Sequence, residues 1–420
     1  MHHDVSAVPA APRWERTFYP IWVGQLFSLL GSAVVQFALI WWLTIESGSA
    51  VILTLASLAG FLPQALLGPF VGVWVDRWSR KACMIGADLA IALATLALMG
   101  VFAWGRPAWW MVMLALAVRS VGAAFHGPAL QASIPLLVPD AALARVAGLN
   151  QAIASASNIA GPVLAGLLIG QFPMPGVLLV DVVGALVACA TLAMVRIPRP
   201  PAIASGDARP GMLREMAAGF RALTRARGLV ALLIALSVAT VVFMPVGALF
   251  PLLVFKHFGG TAMHASIAEA AFGAGLLAGS LLLSVWGGFA RKVHTIILSL
   301  LVMGAALVAT GLLPASGFVG FLVFTVLLGA SGPLFSGPFT VLLQTMIAPA
   351  AQGRVFSLVT SIMLIAAPVG LLLAGPGAER MGVPAWYVLS GVLIVGVGAG
   401  CLGVKMIRQL ETTDEETAAV

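Results

Sequence analysis

The chain is 420 residues long, 61% hydrophobic and only 9% charged, and its mean hydropathy is +1.07. Soluble globular domains hold about 45–50% apolar residues, so this composition excludes a soluble fold and makes the lipid bilayer the solvent for most of the chain. The formal charge of +7 does not point to nucleic acid, because the cations follow the breaks between apolar segments.

Lipid cannot satisfy backbone N–H and C=O groups, so such a chain crosses the bilayer as helices or as a closed barrel. Runs such as Phe18 to Thr44, Val51 to Trp74 and Ala385 to Val404 supply the roughly 20 apolar residues of a spanning helix and lack the alternation of barrel strands. The first run is too long for a signal-peptide core and reads as a retained helix. Hydropathy breaks predict twelve spans, at 18–44, 51–74, 82–103, 109–132, 146–170, 176–195, 229–254, 265–288, 294–313, 317–345, 355–375 and 384–405. The expected fold is all-α and polytopic, with twelve transmembrane helices in two six-helix pseudo-symmetric halves.

Of the 22 Lys and Arg residues, 18 fall on one side of this topology, among them Arg13, Arg16, Arg145, Arg354 and seven arginines between spans six and seven. The positive-inside rule assigns that side and both termini to the cytoplasm. The expected organisation is a cytoplasmic tail at 1–17, a six-helix half at 18–195, a cytoplasmic central loop at 196–228, a second six-helix half at 229–407 and an acidic cytoplasmic tail at 408–420. Within the central loop, GMLREMAAGFRALTRARG spaces Leu213, Met216, Phe220 and Leu223 as an interfacial amphipathic helix does.

The halves repeat. FHGP at Phe125 to Pro128 and FSGP at Phe335 to Pro338 stand 210 residues apart, as do Pro139 and Pro349, and the pairs Arg145-Val146 and Arg354-Val355 stand 209 apart. Tandem six-helix halves are the layout of transporters whose halves rock about a site near the bilayer midplane.

Several residues in this frame point to chemistry. Phe37, Trp41 and Phe61 in the first two spans are candidates to line a greasy cavity for a large amphiphile, against a default of lipid-facing or core packing. GVWVDRWSRK, Gly72 to Lys81, packs four charges into the connection between spans two and three. There Gly68 and Gly72 would let helices approach closely, and Asp76 could pair with the following arginines to latch one side of the protein. Asp88, almost two turns into span three, is expected to extend that cluster or to titrate. Arg119 lies ten residues beyond the interfacial Trp109 and Trp110, about 15 Å into the bilayer, where a charge costs at least ~2.5 kcal/mol and signals function. NIAGPVLAG, Asn158 to Gly166, puts Gly161-Pro162 mid-span, where a kink or a close helix contact is expected. Asp181, one to two turns from the outer face of span six, and Glu269, about one turn into span eight, could be wetted at a vestibule and bind protons or a cationic substrate. Single His126, and single Cys83, Cys189 and Cys401, read as packed side chains. No P-loop, HExxH or nucleophile elbow appears, so no enzyme, cofactor or metal site is expected.

GVWVDRWSRK resembles the loop signature of the major facilitator superfamily, with Gly72, Asp76, Arg77, Arg80 and Lys81 at its glycine, acidic and basic positions. DRWSRKACMIGADL and PLLVPDAALARVAGLNQ are similar to the superfamily's macrolide-efflux and siderophore-exporter branch. The resemblance implies an antiporter signature at Gly161, Pro162 and Gly166, although Ala165 stands where a second glycine is usual. It also implies a proton-coupling role for Arg119, with Gly122 one residue early. The function expected is proton-coupled export of lipophilic small molecules by alternating access, from a monomer in a bacterial inner membrane, with no nucleic-acid partner. A siderophore or metabolite exporter, or an uptake facilitator, is the alternative within the fold, and a non-transport sensor or scaffold is the alternative outside it.

Overall fold

A computed structural model describes residues 14–195, 197, 220, 221, 223, 224 and 227–411. The amphipathic helix expected in the central loop lies largely outside these residues, as do both tails. Twelve described helices are long and apolar enough to cross a membrane. They are α1 (Glu15–Ser47), α2 (Ala50–Arg77), α3 (Arg80–Trp104), α4 (Trp109–Leu137), α5 (Leu143–Gln171) and α6 (Met174–Met194), then α7 (Arg227–Leu252), α8 (Ala262–Trp286), α9 (Lys292–Leu312), α10 (Phe318–Met346), α11 (Pro349–Met381) and α12 (Val383–Gly403).

Several helices, α1 to α5 and α11, extend beyond the apolar windows that announced them, while the others shift by one to three residues. The difference is greatest for α11, expected at 355–375 and observed from Pro349 to Met381, because Gln352, Arg354, Glu379 and Arg380 lower hydropathy without breaking the backbone ladder. Prolines inside α4, α5, α7, α10 and α11 do not end those helices. In a bundle, neighbouring helices and side chains can satisfy the carbonyls that proline frees.

Packing repeats with a step of six helices. In the first half α1 lies against α5 and α6, α2 against α4, and α3 against α4 and α6; in the second α7 lies against α11 and α12, α8 against α10, and α9 against α10 and α12. The halves meet mainly where α2 packs on α11 and α5 on α8, a pair of contacts that the same step interchanges. These contacts gather at the face away from the chain termini. Gly166 of α5 sits where a Cβ would fall 2.2 Å from Ser266 Oγ of α8, and Gly375 of α11 where one would fall 2.4 Å from Thr54 Oγ1 of α2. At the terminus face, Gly68 and Gly72 of α2, Gly148 of α5 and Gly353 of α11 meet nothing within 4 Å. Gly68 and Gly72 therefore do not mediate the close helix approach expected of them. In this conformation that work is done at the opposite ends of the same helices.

Candidate functional site

Between the halves lies a cavity of about 340 Å³ walled by α1, α2, α5, α7 and α8. A second lobe of about 350 Å³ shares Ser57, Phe61, Gly247, Ala248, Phe250 and Glu269 with it and extends to α10, α11 and α12. Both volumes fall in the range of about 300–1,000 Å³ typical of small-molecule sites. The structure puts Phe37, Trp41 and Phe61 on this lining; Trp41 also meets Phe255 edge to face, with ring centroids 6.1 Å apart. Pro162 lines the cavity too, while Gly161 backs onto α1, where a Cβ would fall 2.5 Å from Ala33 Cβ. The proposed kink motif thus serves three contacts: Gly161 seats α5 on α1, Pro162 faces the cavity, and Gly166 seats α5 on α8.

Polar groups in the cavity are few. Gln36, Ser57 and Asn158 contribute neutral ones, and Glu269 is the one carboxylate among the lining residues. Glu269 makes no hydrogen bond or ion pair among the described residues, so its oxygens are available to a ligand. Tyr387 is not: its hydroxyl donates to Val246 O at 3.0 Å inside the second half.

Arg119 and Asp181 form a buried ion pair. Asp181 is 1% exposed, which corrects the expectation that it is wetted at an outer vestibule. Small residues bring its helix inward: Gly31 of α1 lies where a Cβ would fall 3.0 Å from Asp181 Cα, and Gly184 of α6 where one would fall 2.5 Å from Phe27 O. Around the pair, Ser32 Oγ donates to Asp181 Oδ1 at 2.7 Å, Thr95 Oγ1 donates to Asp181 Oδ2 at 2.8 Å and accepts from Arg119 Nη1 at 2.7 Å, and Arg119 Nη2 donates to Ser32 O at 3.2 Å. Charge buried this deeply is tolerated only when paired and hydrogen-bonded. Ser32 adjoins Ala33 and stands one turn from Gln36, both cavity residues, so the ion pair and the cavity share α1 as a common wall.

Among the described side chains, Asp88 turns from the loop cluster to α1 and α4. Its partners are Ser28 Oγ, which donates to Oδ1 at 3.4 Å, and His126 Nε2, 3.6 Å from the same oxygen. In the loop itself, Lys81 Nζ donates to Ala193 O and Val195 O, both at 2.8 Å, at the end of α6. It thereby serves carbonyls left free by the helix end and favours the negative end of the helix dipole. The backbone of Asp76 and Arg77 closes α2, but their side chains lie outside the described ones, so the expected latch does too. Phe125, from FHGP, stacks on Trp74 and Trp78 with centroids 5.7 and 6.2 Å apart, tying the loop to α4.

A different latch is visible at the opposite face. Glu379 of α11 accepts hydrogen bonds from the first turn of α2: Ala50 N at 2.6 Å, Ser49 Oγ at 3.1 Å and Val51 N at 3.4 Å. Sequence reasoning missed Glu379, which stands among helix-end charges with no motif about it. It also missed Ser32 and Gln36, yet Gln25, Ser28, Ser32 and Gln36 recur every three or four residues along α1, one polar face in an apolar span.

An apolar cavity between two repeated six-helix bundles, beside a buried charge pair, defines a membrane transporter, not an enzyme. The chain belongs to the Major Facilitator Superfamily, whose family model matches residues 21–371. It is similar to macrolide efflux protein A of Streptococcus pyogenes, 45% identical over 95% of this chain and 98% of that one, and to the multidrug efflux pump Tap of Mycobacterium tuberculosis, 27% identical over 92% and 93%. Among solved structures, an inward-facing bacterial homologue of the human lysosomal transporter Spinster has a TM-score of 0.67 at 15% identity, covering 93% of this chain and 96% of its own. The POT-family transporter PepTSo has a TM-score of 0.71 at 11% identity, covering 96% and 99%. These two likenesses establish the fold. The relatives and the fold together make the chain a multi-pass efflux transporter.

Proposed function

We propose that this protein exports lipophilic small molecules, macrolides among them, from the bacterial cytoplasm in exchange for protons. The observation that carries the substrate class is the cavity: aromatic walls drawn from both halves and a single unpaired carboxylate, Glu269, which suits a cationic amphiphile. The near full-length similarity to a macrolide efflux protein supports the same class. The terminus face is assigned to the plasma-membrane cytoplasm by its excess of Lys and Arg. On that assignment the glycine seams close the outer face, and the conformation described is inward-facing.

The buried pair supplies the coupling. A proton arriving from outside neutralises Asp181, weakens its hold on Arg119 and loosens the contact of Arg119 with the Ser32 carbonyl. Because α1 carries that carbonyl and the cavity wall, the proton and the substrate act on the same helix. A second proton acceptor, Glu269, exchanges proton for cationic substrate inside the cavity itself.

The test is accumulation of macrolides, dyes and lipophilic cations in an efflux-deficient bacterial host, with and without the protein and with and without a protonophore. Lower accumulation that the protonophore restores supports energised export. Accumulation unchanged across the panel overturns the drug reading and favours a dedicated metabolite exporter, while lowering that survives the protonophore overturns proton coupling.

A further inference from the structure

A second buried titratable group lies inside the first half, and the mechanism above does not use it. Asp88 of α3 and His126 of α4 are 2% and 7% exposed. Each stands seven residues from a member of the upper cluster, Asp88 from Thr95 and His126 from Arg119, so the two clusters are layers about 10 Å apart along the same helices. Four residues of α1, about one helical turn, separate Ser28, which donates to Asp88, from Ser32, which donates to Asp181.

The lower layer is not a completed network. Asp88 Oδ2 is buried without a hydrogen-bond partner among the described residues, Gln25 meets the carboxyl only loosely, and His126 Nε2 is buried just beyond hydrogen-bond reach of Asp88 Oδ1. A buried polar atom left so calls for an explanation, and exchange of a proton or a water is the one that suits a carboxyl beside an imidazole. The fold does not require titratable groups there. In the second half the Arg291-Lys292 register sets Ser299 opposite Asp88, and FSGP sets Ser336 opposite His126.

We infer that Asp88 and His126 form a second proton site, which receives the proton from Asp181 and delivers it toward the cytoplasmic face. This rests on the proton-coupled reading above. In the transfer the O–H bond of protonated Asp181 breaks and an O–H or N–H bond forms on Asp88 or His126, the proton passing by the Ser32 hydroxyl, a water bridging the one-turn gap and the Ser28 hydroxyl, with no electrons exchanged. Asp181 is thereby returned to the carboxylate that holds Arg119. Among the described residues, the other ionisable groups facing the site are Asp181 and the Cys189 thiol of α6, with Arg119 of α4 in the layer above; α1 brings Gln25 and Ser28.

The test uses the full chain in proteoliposomes, reading macrolide flux and internal pH together. The variants are Asp88→Asn, His126→Ser, which installs the residue of the repeat, and the exchange Asp88→His with His126→Asp. Expected are a loss of drug-driven proton flux of about 100-fold or more in each single variant, the range of one positioned proton-transfer group, with substrate KM held within about twofold and a displaced pH profile. The exchange variant restores proton flux. If the single variants keep wild-type proton flux and pH profile while wild type couples, the relay is overturned and the coupled exporter stands. Parallel loss of thermal stability, drug binding and transport, without rescue by the exchange, overturns it in favour of a packing role. Drug movement by wild type with no proton flux removes the coupled reading itself and the relay with it.

Discussion

Glu379 Oε2 lies 2.6 Å from the backbone nitrogen of Ala50, so a carboxylate from the second half caps the first turn of a helix in the first. A helix N-terminus carries unpaired N–H groups and a partial positive charge, and a capping acid there contributes about 1 kcal/mol. Glu379→Ala therefore lowers the ratio of molecules closed at this face to molecules open there about fivefold. Double electron–electron resonance between labels on the outer ends of α2 and α11 reads this directly. An unchanged distance distribution would dismiss the cap as a latch.

Gly375 gives an independent handle on the same seam. A valine there meets Thr54 Oγ1 and Val51 Cα, at 2.4 and 3.2 Å from the position of its Cβ, and no rotamer avoids the second contact because it is backbone. Overpacking of this kind costs about 1–3 kcal/mol, but only in the state where the seam is closed. Gly375→Val should raise labelling of an engineered cysteine at the outer end of the cavity and slow export, without lowering the melting temperature in proportion.

The Arg119–Asp181 pair is expected to show strong non-additivity. Removing one partner from a buried pair costs about 3–5 kcal/mol, because the other charge is left in apolar surroundings. Arg119→Ala should lose that much stability in detergent, and adding Asp181→Asn should recover most of it. Neither variant should couple export to protons. Proton-driven transport by Arg119→Ala would remove the role assigned to the arginine.

Within the cavity, Phe61 touches both lobes, so Phe61→Ala should weaken drug recognition across the panel by about tenfold in KM, near 1.4 kcal/mol. Glu269→Gln is expected to discriminate instead, impairing export of cationic drugs far more than that of neutral ones. Equal loss for both kinds in Glu269→Gln would mean that the carboxylate does not meet the substrate's charge.

The bundle was legible in the sequence because lipid permits so few solutions: length and hydropathy located all twelve helices, and the FHGP and FSGP copies revealed the duplication that the packing repeats. Arg119 was legible for the same reason, as a charge where lipid forbids one. Its partner was not, since Asp181 lies 62 residues away and nothing in a hydropathy profile encodes which face of α6 turns toward α4. Reading Asp181 as wetted failed because depth along a helix was used without rotation about it. Asp88 misled similarly: proximity in sequence to the loop cations suggested a cluster, whereas its direction on α3 takes it to Ser28 and His126. Glu379 was invisible because its meaning depends on a contact 329 residues distant.

The separation of Arg119 from Asp181 also has a consequence for biogenesis. At about 5–20 residues per second, the ribosome finishes Arg119 on the order of 3–12 s before it makes the residue that neutralises it. During that interval α4 presents an unpaired guanidinium at a depth where lipid charges at least ~2.5 kcal/mol for it. That cost favours a nascent α4 held beside the insertion machinery, or at the interface, until α6 arrives. Chains truncated before Asp181 should leave α4 poorly integrated, so for this helix the unit that the membrane accepts is α4 together with α6.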